Sequence, residues 1–382
     1  MANRIVLNET SYHGSGAIKE IVNEVKGRNL KKAFVCSDPD LIKFNVTTKV
    51  TNILEESNLE YEIYSNIKPN PTIENVQNGV NAYKKSNADY IIAIGGGSSI
   101  DTAKAIGIII NNPEFEDVRS LEGVAPTKNK CVPIIAVPTT AGTAAEVTIN
   151  YVITDAEKNR KFVCVDTNDI PVVAIVDPDM MESMPKGLTA ATGMDALTHA
   201  LEAYIGNSLT NETKMFSLKA IELILNNIYN SYQFNDEEAK NNMLVASFYA
   251  GCAFSKSYVG YVHALSHAIG GKYNLPHGLL NAIILPKVLI KYDRCIYNKI
   301  AFISKNNNIA NENDNNKIAF NKFINYILEL NKKMNIPTKI NELNENDIHY
   351  LATLAFNEAN PLYPVPKLFS IDDLEDLLKD CK

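Results

Sequence analysis

IAIGGGSSIDTAKAI, residues 92–106, passes from an apolar run through three glycines into helical spacing. A buried strand that ends in glycines and restarts as a helix is the turn of an α/β unit, and this reading decides the fold class of the first half. Ser98 is the expected N-cap, with Asp101 three residues on completing a capping box. Glycines carry no Cβ, so a phosphate can approach the backbone, and the first free N–H groups of a helix favour an anion. A tight turn without a ligand fits the same residues, since the spacing is not G-x-G-x-x-G.

Three more runs of the same kind surround it: KKAFVCSD (31–38), VPIIAVPTT (132–140) and VVAIVDPD (172–179). Each is short, apolar and bounded by turn residues, with helical patterns between, so the expected element is a parallel sheet inside an α/β layer. Beyond Asp177-Pro178 the rhythm becomes helical and strand-like runs are rare. The expected organisation is an α/β nucleotide-binding domain over residues 1–180 and an all-helical metal-binding domain over 181–382.

Composition narrows the function. The chain has 382 residues, 46% of them hydrophobic and 21% charged, enough for two domains with ordinary cores. A net charge of −7 with no Lys/Arg block argues against nucleic acid and against a membrane surface as partners. No stretch approaches the roughly 18 apolar residues that span a bilayer, and the N-terminus lacks a signal-peptide core. Six cysteines without a C-x-x-C read as buried thiols of a cytoplasmic protein.

Two further loops fall at the ends of predicted strands, where open α/β sheets bind ligands. PTTAGTAAEVT (138–148) offers threonines and a glycine. Asp38 follows KKAFVCS; its carboxylate can accept from a ribose diol and would repel a 2′-phosphate, which favours NAD over NADP. An ordinary turn aspartate is the competing reading. Asp38 precedes the glycine loop, the reverse of the usual dinucleotide order.

The histidines are concentrated. TGMDALTHALEAY (192–204) reads as a helix with Met194, Leu197, Leu201 and Tyr204 on one face and Asp195 and His199, four apart, on the other. VHALSHAIGGKYNLPHG (262–278) repeats the four-residue spacing with His263 and His267, then adds His277 after Pro276. A lone Asp-x-x-x-His is most often a surface ion pair. Here, however, two short segments hold four of the chain's six histidines and an aspartate. Such a nitrogen and oxygen set suits a first-row divalent metal. Five candidates exceed a four-ligand site, which leaves one histidine for proton transfer.

Glycine loop, threonine loop and histidine segments stand in an order that resembles the iron-dependent (group III) alcohol dehydrogenase family, along essentially the whole chain. The motifs are GGGSSIDTAKAI (95–106), PTTAGTAAEVT (138–148), ATGMDALTHALEAY (191–204) and HALSHAIGGKYNLPHG (263–278). MANR…LNET, NNPEFEDVRSLEG (111–123), TAAEVTINYVITD (143–155) and RKFVCVDTNDIP (160–171) are similar to members that act on lactaldehyde. The resemblance implies Asp195, His199, His263 and His277 as metal ligands, with Fe2+ as the ion and Zn2+ as the alternative. It implies His267 as a catalytic residue beside the nicotinamide. Gly96, Gly97 and Ser98 would hold the pyrophosphate, with Asp101 adjoining them, and Asp38 the adenosine ribose of NAD. Thr139, Thr140, Asn150, Lys161 and Asn70 would line the cofactor cleft. It further implies a homodimer and a metal-dependent interconversion of a short-chain aldehyde and a primary alcohol, lactaldehyde and 1,2-propanediol first.

Three departures stand out: Ser99 where many members carry proline, Ala268 after His267, and EANPLYPVPKLFS (358–370), which is similar to members acting on simple alcohols. Butanol or 1,3-propanediol type substrates are therefore the alternative. A dehydroquinate synthase-like lyase would need Lys/Arg side chains for an acidic phosphorylated substrate, in which the motif stretches are poor. A non-catalytic metal- and NAD-binding structural protein would bind both without turning over.

Overall fold

The structure, a computed structural model, describes residues 4–382; the first three residues of the MANR stretch lie outside the described residues. The chain divides into two compact units, Met1–Met184 and Pro185–Lys382.

Among its described residues the first unit contains nine strands: β1 (Thr10–His13), β2 (Lys32–Ser37), β3 (Glu60–Tyr64), β4 (Tyr90–Gly95), β5 (Gly123–Val124), β6 (Ile134–Pro138), β7 (Asn150–Asp155), β8 (Arg160–Val165) and β9 (Val173–Val176). The four expected runs are β2, β4, β6 and β9. They form the centre of a six-stranded sheet, ordered β1-β9-β6-β4-β2-β3, in which every pairing is parallel. Successive residues feed opposite faces: Phe34, Cys36, Ile91 and Ala93 enter one apolar cluster, and Ala33, Val35, Ile92 and Ile94 the other. Burial on both faces is why these strands read as unbroken apolar runs. The edge strands β1 and β3 lack that signature, as does a second sheet, β5-β8-β7, whose β7 and β8 are antiparallel.

The order accounts for the position of Asp38. From β2 the chain moves outward to β3, crosses back to β4, and continues through β6 to β9. This is the flavodoxin-like doubly wound arrangement, whose switch point lies between β2 and β4. Asp38 follows β2, the glycines follow β4 and the threonines follow β6, so three loops far apart in sequence stand side by side at the carboxyl edge.

The second unit is helical among its described residues. Its centre is the helix Lys186–Ile205, followed by Asn211–Phe234, Glu237–Ser257, Tyr261–Tyr273 and His277–Tyr292. The single apolar face expected for residues 192–204 is a correction: the 186–205 helix is buried around its whole circumference from Gly193 onward. Asp195, at 1% exposure, is as buried as Met194 at 0%. A helix buried all round needs partners for its polar groups, and these partners build the site.

Candidate metal centre and nucleotide loops

His277 opens the 277–292 helix, with Pro276 as its N-cap. Gly278 beside it is demanded by packing, since a Cβ there would lie 2.4 Å from the Ala191 carbonyl oxygen. That close approach brings His277 to Asp195. One ligand atom each from Asp195, His263 and His277 lies within 4.8 Å of the other two. His263 Nε2 is 3.8 Å and His277 Nε2 3.5 Å from Asp195 Oδ1.

The far side of each imidazole is fixed. Glu202, buried at 4% exposure, accepts from Gly260 N and Val262 N, each at 2.8 Å, and from His263 Nδ1 at 2.6 Å. Burial pushes its carboxyl up to about 7, against the pull of these donors. Burial also holds His263 well below its usual range, so the ring is neutral. A neutral ring donating from Nδ1 leaves the Nε2 lone pair toward Asp195. Ser266 Oγ donates to the His263 carbonyl at 3.2 Å and therefore accepts from His277 Nδ1 at 3.1 Å. His277 Nε2 is likewise left as an acceptor. Two imidazole lone pairs and a carboxylate oxygen, converging with their outer atoms tied down, fit a divalent first-row cation.

His199, named with these three from the sequence, stands outside the triplet. Its ring stacks on Phe254 with centroids 4.1 Å apart and lies 4.3 Å from the His263 ring. His267 is also outside it. Its ring stacks on His277 at 5.0 Å, and its Nδ1 meets Glu358 Oε1 at 2.7 Å. Tyr363 donates to the same Glu358 oxygen at 2.7 Å. Glu202, Ser266, Asn281 and Glu358 were all missed in the sequence. Two of them carried a usable signal: Glu202 is seven residues after Asp195 and Asn281 four after His277, each on the ligand-bearing face.

In the first unit the helix Gly97–Asn111 begins two residues earlier than expected. Its N-cap is Gly96, without a side-chain cap, so the Ser98–Asp101 capping box does not form. Asp101 instead accepts from Val152 N at 3.0 Å, and burial raises its carboxyl to about 6. The glycines are required by the neighbouring loop: a Cβ on Gly97 would lie 2.9 Å from Thr143 and one on Gly96 3.1 Å from Thr140. Thr139 N donates to the Gly95 carbonyl at 3.0 Å, completing the seam. Asp38 is the N-cap of Pro39–Lys43, its Oδ1 accepting from Asp40 N and Leu41 N at 3.0 Å each. Lys161 donates to Asn70 Oδ1 at 2.7 Å. Asn150 opens β7, and its carbonyl accepts from the buried Lys104 at 2.9 Å.

Of the six cysteines, all free, only Cys295 is exposed. Among the described residues no helix is long and apolar enough to cross a membrane.

Comparison with known proteins agrees with this geometry. Residues 8–178 match the family described as iron-containing alcohol dehydrogenase, and residues 189–381 match the C-terminal region of the Fe-containing alcohol dehydrogenase family. Lactaldehyde reductase of Escherichia coli (strain K12) is 46% identical over 360 residues, covering 94% of each chain. NADPH-dependent butanol dehydrogenase of Clostridium saccharobutylicum is 38% identical over 341 residues, 89% of this chain and 86% of that one. Among solved structures, a 1,3-propanediol oxidoreductase superposes with a TM-score of 0.95 at 33% identity, covering 100% of both chains. An Asp/His/His triplet inside the C-terminal match, and identity of this extent along the chain, place the protein in the iron-containing alcohol dehydrogenase family.

Proposed function

We propose that the protein is a metal-dependent NAD(H) oxidoreductase that interconverts a short-chain aldehyde and its primary alcohol, lactaldehyde and 1,2-propanediol first. The observation that carries this reading is the convergence of Asp195 Oδ1, His263 Nε2 and His277 Nε2, in a chain 46% identical to lactaldehyde reductase. Asp195, His263 and His277 hold the cation, and His199 is assigned the fourth position. A divalent ion there supplies Lewis acidity toward the substrate oxygen, and a nicotinamide supplies or receives the hydride.

The chain's own part is positioning and proton handling. Glu202 and Ser266 keep Nε2 of His263 and His277 unprotonated. Gly96, Gly97 and Ser98 hold the pyrophosphate at the start of the 97–111 helix, with Asp101 behind them. Thr139, Thr140, Asn150, Lys161 and Asn70 contact the rest of the cofactor, and Asp38 takes the ribose diol. His267 moves a proton between the substrate oxygen and Glu358. It donates from Nδ1 to Glu358 Oε1 at 2.7 Å, and the Glu358 side chain is 22% exposed, which opens a route to solvent.

The test is NADH oxidation with Fe2+ or Zn2+ restored, screened over lactaldehyde, glycolaldehyde, 3-hydroxypropanal and butanal. Highest kcat/KM on lactaldehyde supports the reading; no turnover on any of the four with metal bound removes it. A second reading, a broader alcohol dehydrogenase, draws on the butanol dehydrogenase relative at 38% identity. Butanal turned over as well as lactaldehyde selects it.

A further inference from the structure

One side chain within hydrogen-bond distance of all three ligand atoms is not itself one of the ligands. Asn281 lies in the 277–292 helix and is 0% exposed. Its Nδ2 is 2.6 Å from Asp195 Oδ1, 3.2 Å from His263 Nε2 and 3.2 Å from His277 Nε2. All three are acceptors: a carboxylate oxygen and two imidazole nitrogens whose protons sit on the opposite ring atoms. This explains why the amide presents its NH2 end. Its Oδ1 is buried and accepts no hydrogen bond among the described residues.

Nitrogen and oxygen ligands lie about 2.0–2.2 Å from a divalent ion, which sets ligand atoms of a tetrahedral site roughly 3.3–3.6 Å apart. The separations of 3.5 and 3.8 Å already approach that spacing. Asn281 Nδ2 stands over the same triangle, within hydrogen-bond reach of every corner. An amide NH2 carries partial positive charge, so it and a cation seek the same three lone pairs and repel each other there.

We propose that Asn281 competes with the cation for Asp195, His263 and His277. Its NH2 and a cation draw on the same lone pairs, so the amide must give up these contacts for a cation to be bound. The residue therefore weakens equilibrium affinity. This rests on the metal-centre reading above.

Co2+ titration of the chelator-stripped full-length protein, followed by its visible absorption, tests the idea in the parent, Asn281→Leu and Asn281→Ala. Alanine leaves room should leucine mispack. Loss of the amide's hydrogen bonds removes the competitor, so both variants are expected to bind Co2+ about tenfold tighter. A merely structural asparagine would instead loosen the ligands and weaken binding. A folded variant with equal or weaker Co2+ affinity, beside a parent that binds one equivalent, overturns the role of Asn281 alone. A parent that binds neither Co2+ nor Zn2+ overturns the metal centre and this proposal together.

Discussion

At the scale of single residues, tautomers decide what the centre can hold. Replacing Glu202 with glutamine places an amide NH2 where Oε1 or Oε2 now accepts. Turned toward His263, it inverts the ring and leaves a proton on Nε2; turned toward the backbone, it faces the Val262 N–H. Glu202→Gln is therefore expected to lower metal affinity about 10–100-fold, read by competition with a chromophoric chelator; unchanged affinity would show that Glu202 does not orient the ligand. Asp38→Gly is expected to raise the kcat/KM ratio of NADPH to NADH about tenfold by removing a charge that repels a 2′-phosphate. An unchanged ratio takes the ribose role from Asp38. Glu146 gives a pH signature. Burial at 2% exposure raises its carboxyl from 4.5 to about 7. Between those values the folded chain holds a proton that the unfolded chain has lost. Its contribution is thus fully present below about 4.5 and is lost as pH rises through about 7. Glu146→Gln should match the parent near pH 4.5 and exceed it at pH 8, by roughly 3 kcal/mol at most. Urea denaturation at the two pH values measures this, and parallel pH profiles would refute it.

Between elements, the centre depends on how closely two helices approach. The 186–205 helix carries Asp195, and the 277–292 helix carries His277 and Asn281. Their contact at Gly278 has a backbone carbonyl 2.4 Å from where a Cβ would sit. A backbone atom yields less readily than the end of a side chain. Gly278→Ala should cost about 1–3 kcal/mol through overpacking. It should also weaken metal binding, because the shift separates Asp195 from His277. Calorimetry and a metal titration on the same sample check both, and a variant as stable as the parent would show that the helices can part freely. The β2, β4 and β6 loops show the same logic, with glycines dictated by the threonines beside them.

For the whole molecule, the prediction concerns metal removal. The three ligand atoms come from three helices of the 185–382 unit, so a bound ion cross-links its centre. Metal at 100 times its Kd adds about 2.7 kcal/mol. A unit of this size changes Tm by roughly 2–4 °C per kcal/mol, so chelation should lower the transition by about 5–10 °C. Differential scanning calorimetry with and without Zn2+ measures it, and coincident transitions would argue against a structural contribution from the ion.

Local pattern by itself determined much of this protein. Four of the six strands of the parallel sheet were legible as apolar runs, because burial on both faces leaves no room for alternation. The helical second unit followed from periodicity. The aspartate and histidines were visible because a helix brings residues four apart to one face, whatever surrounds it. The tertiary structure decided everything that depends on partners distant in the chain. It set the strand order that gathers Asp38, the glycines and the threonines, and the edge strands whose half-exposed residues carry little apolar signal. It buried the 186–205 helix on all sides from Gly193 onward. It also stacked His199 between Phe254 and His263, and brought Glu202, Ser266, Asn281 and Glu358 to atoms that local spacing had already singled out. Periodicity reports the direction in which a side chain leaves its own element, and only packing reports which atom it meets.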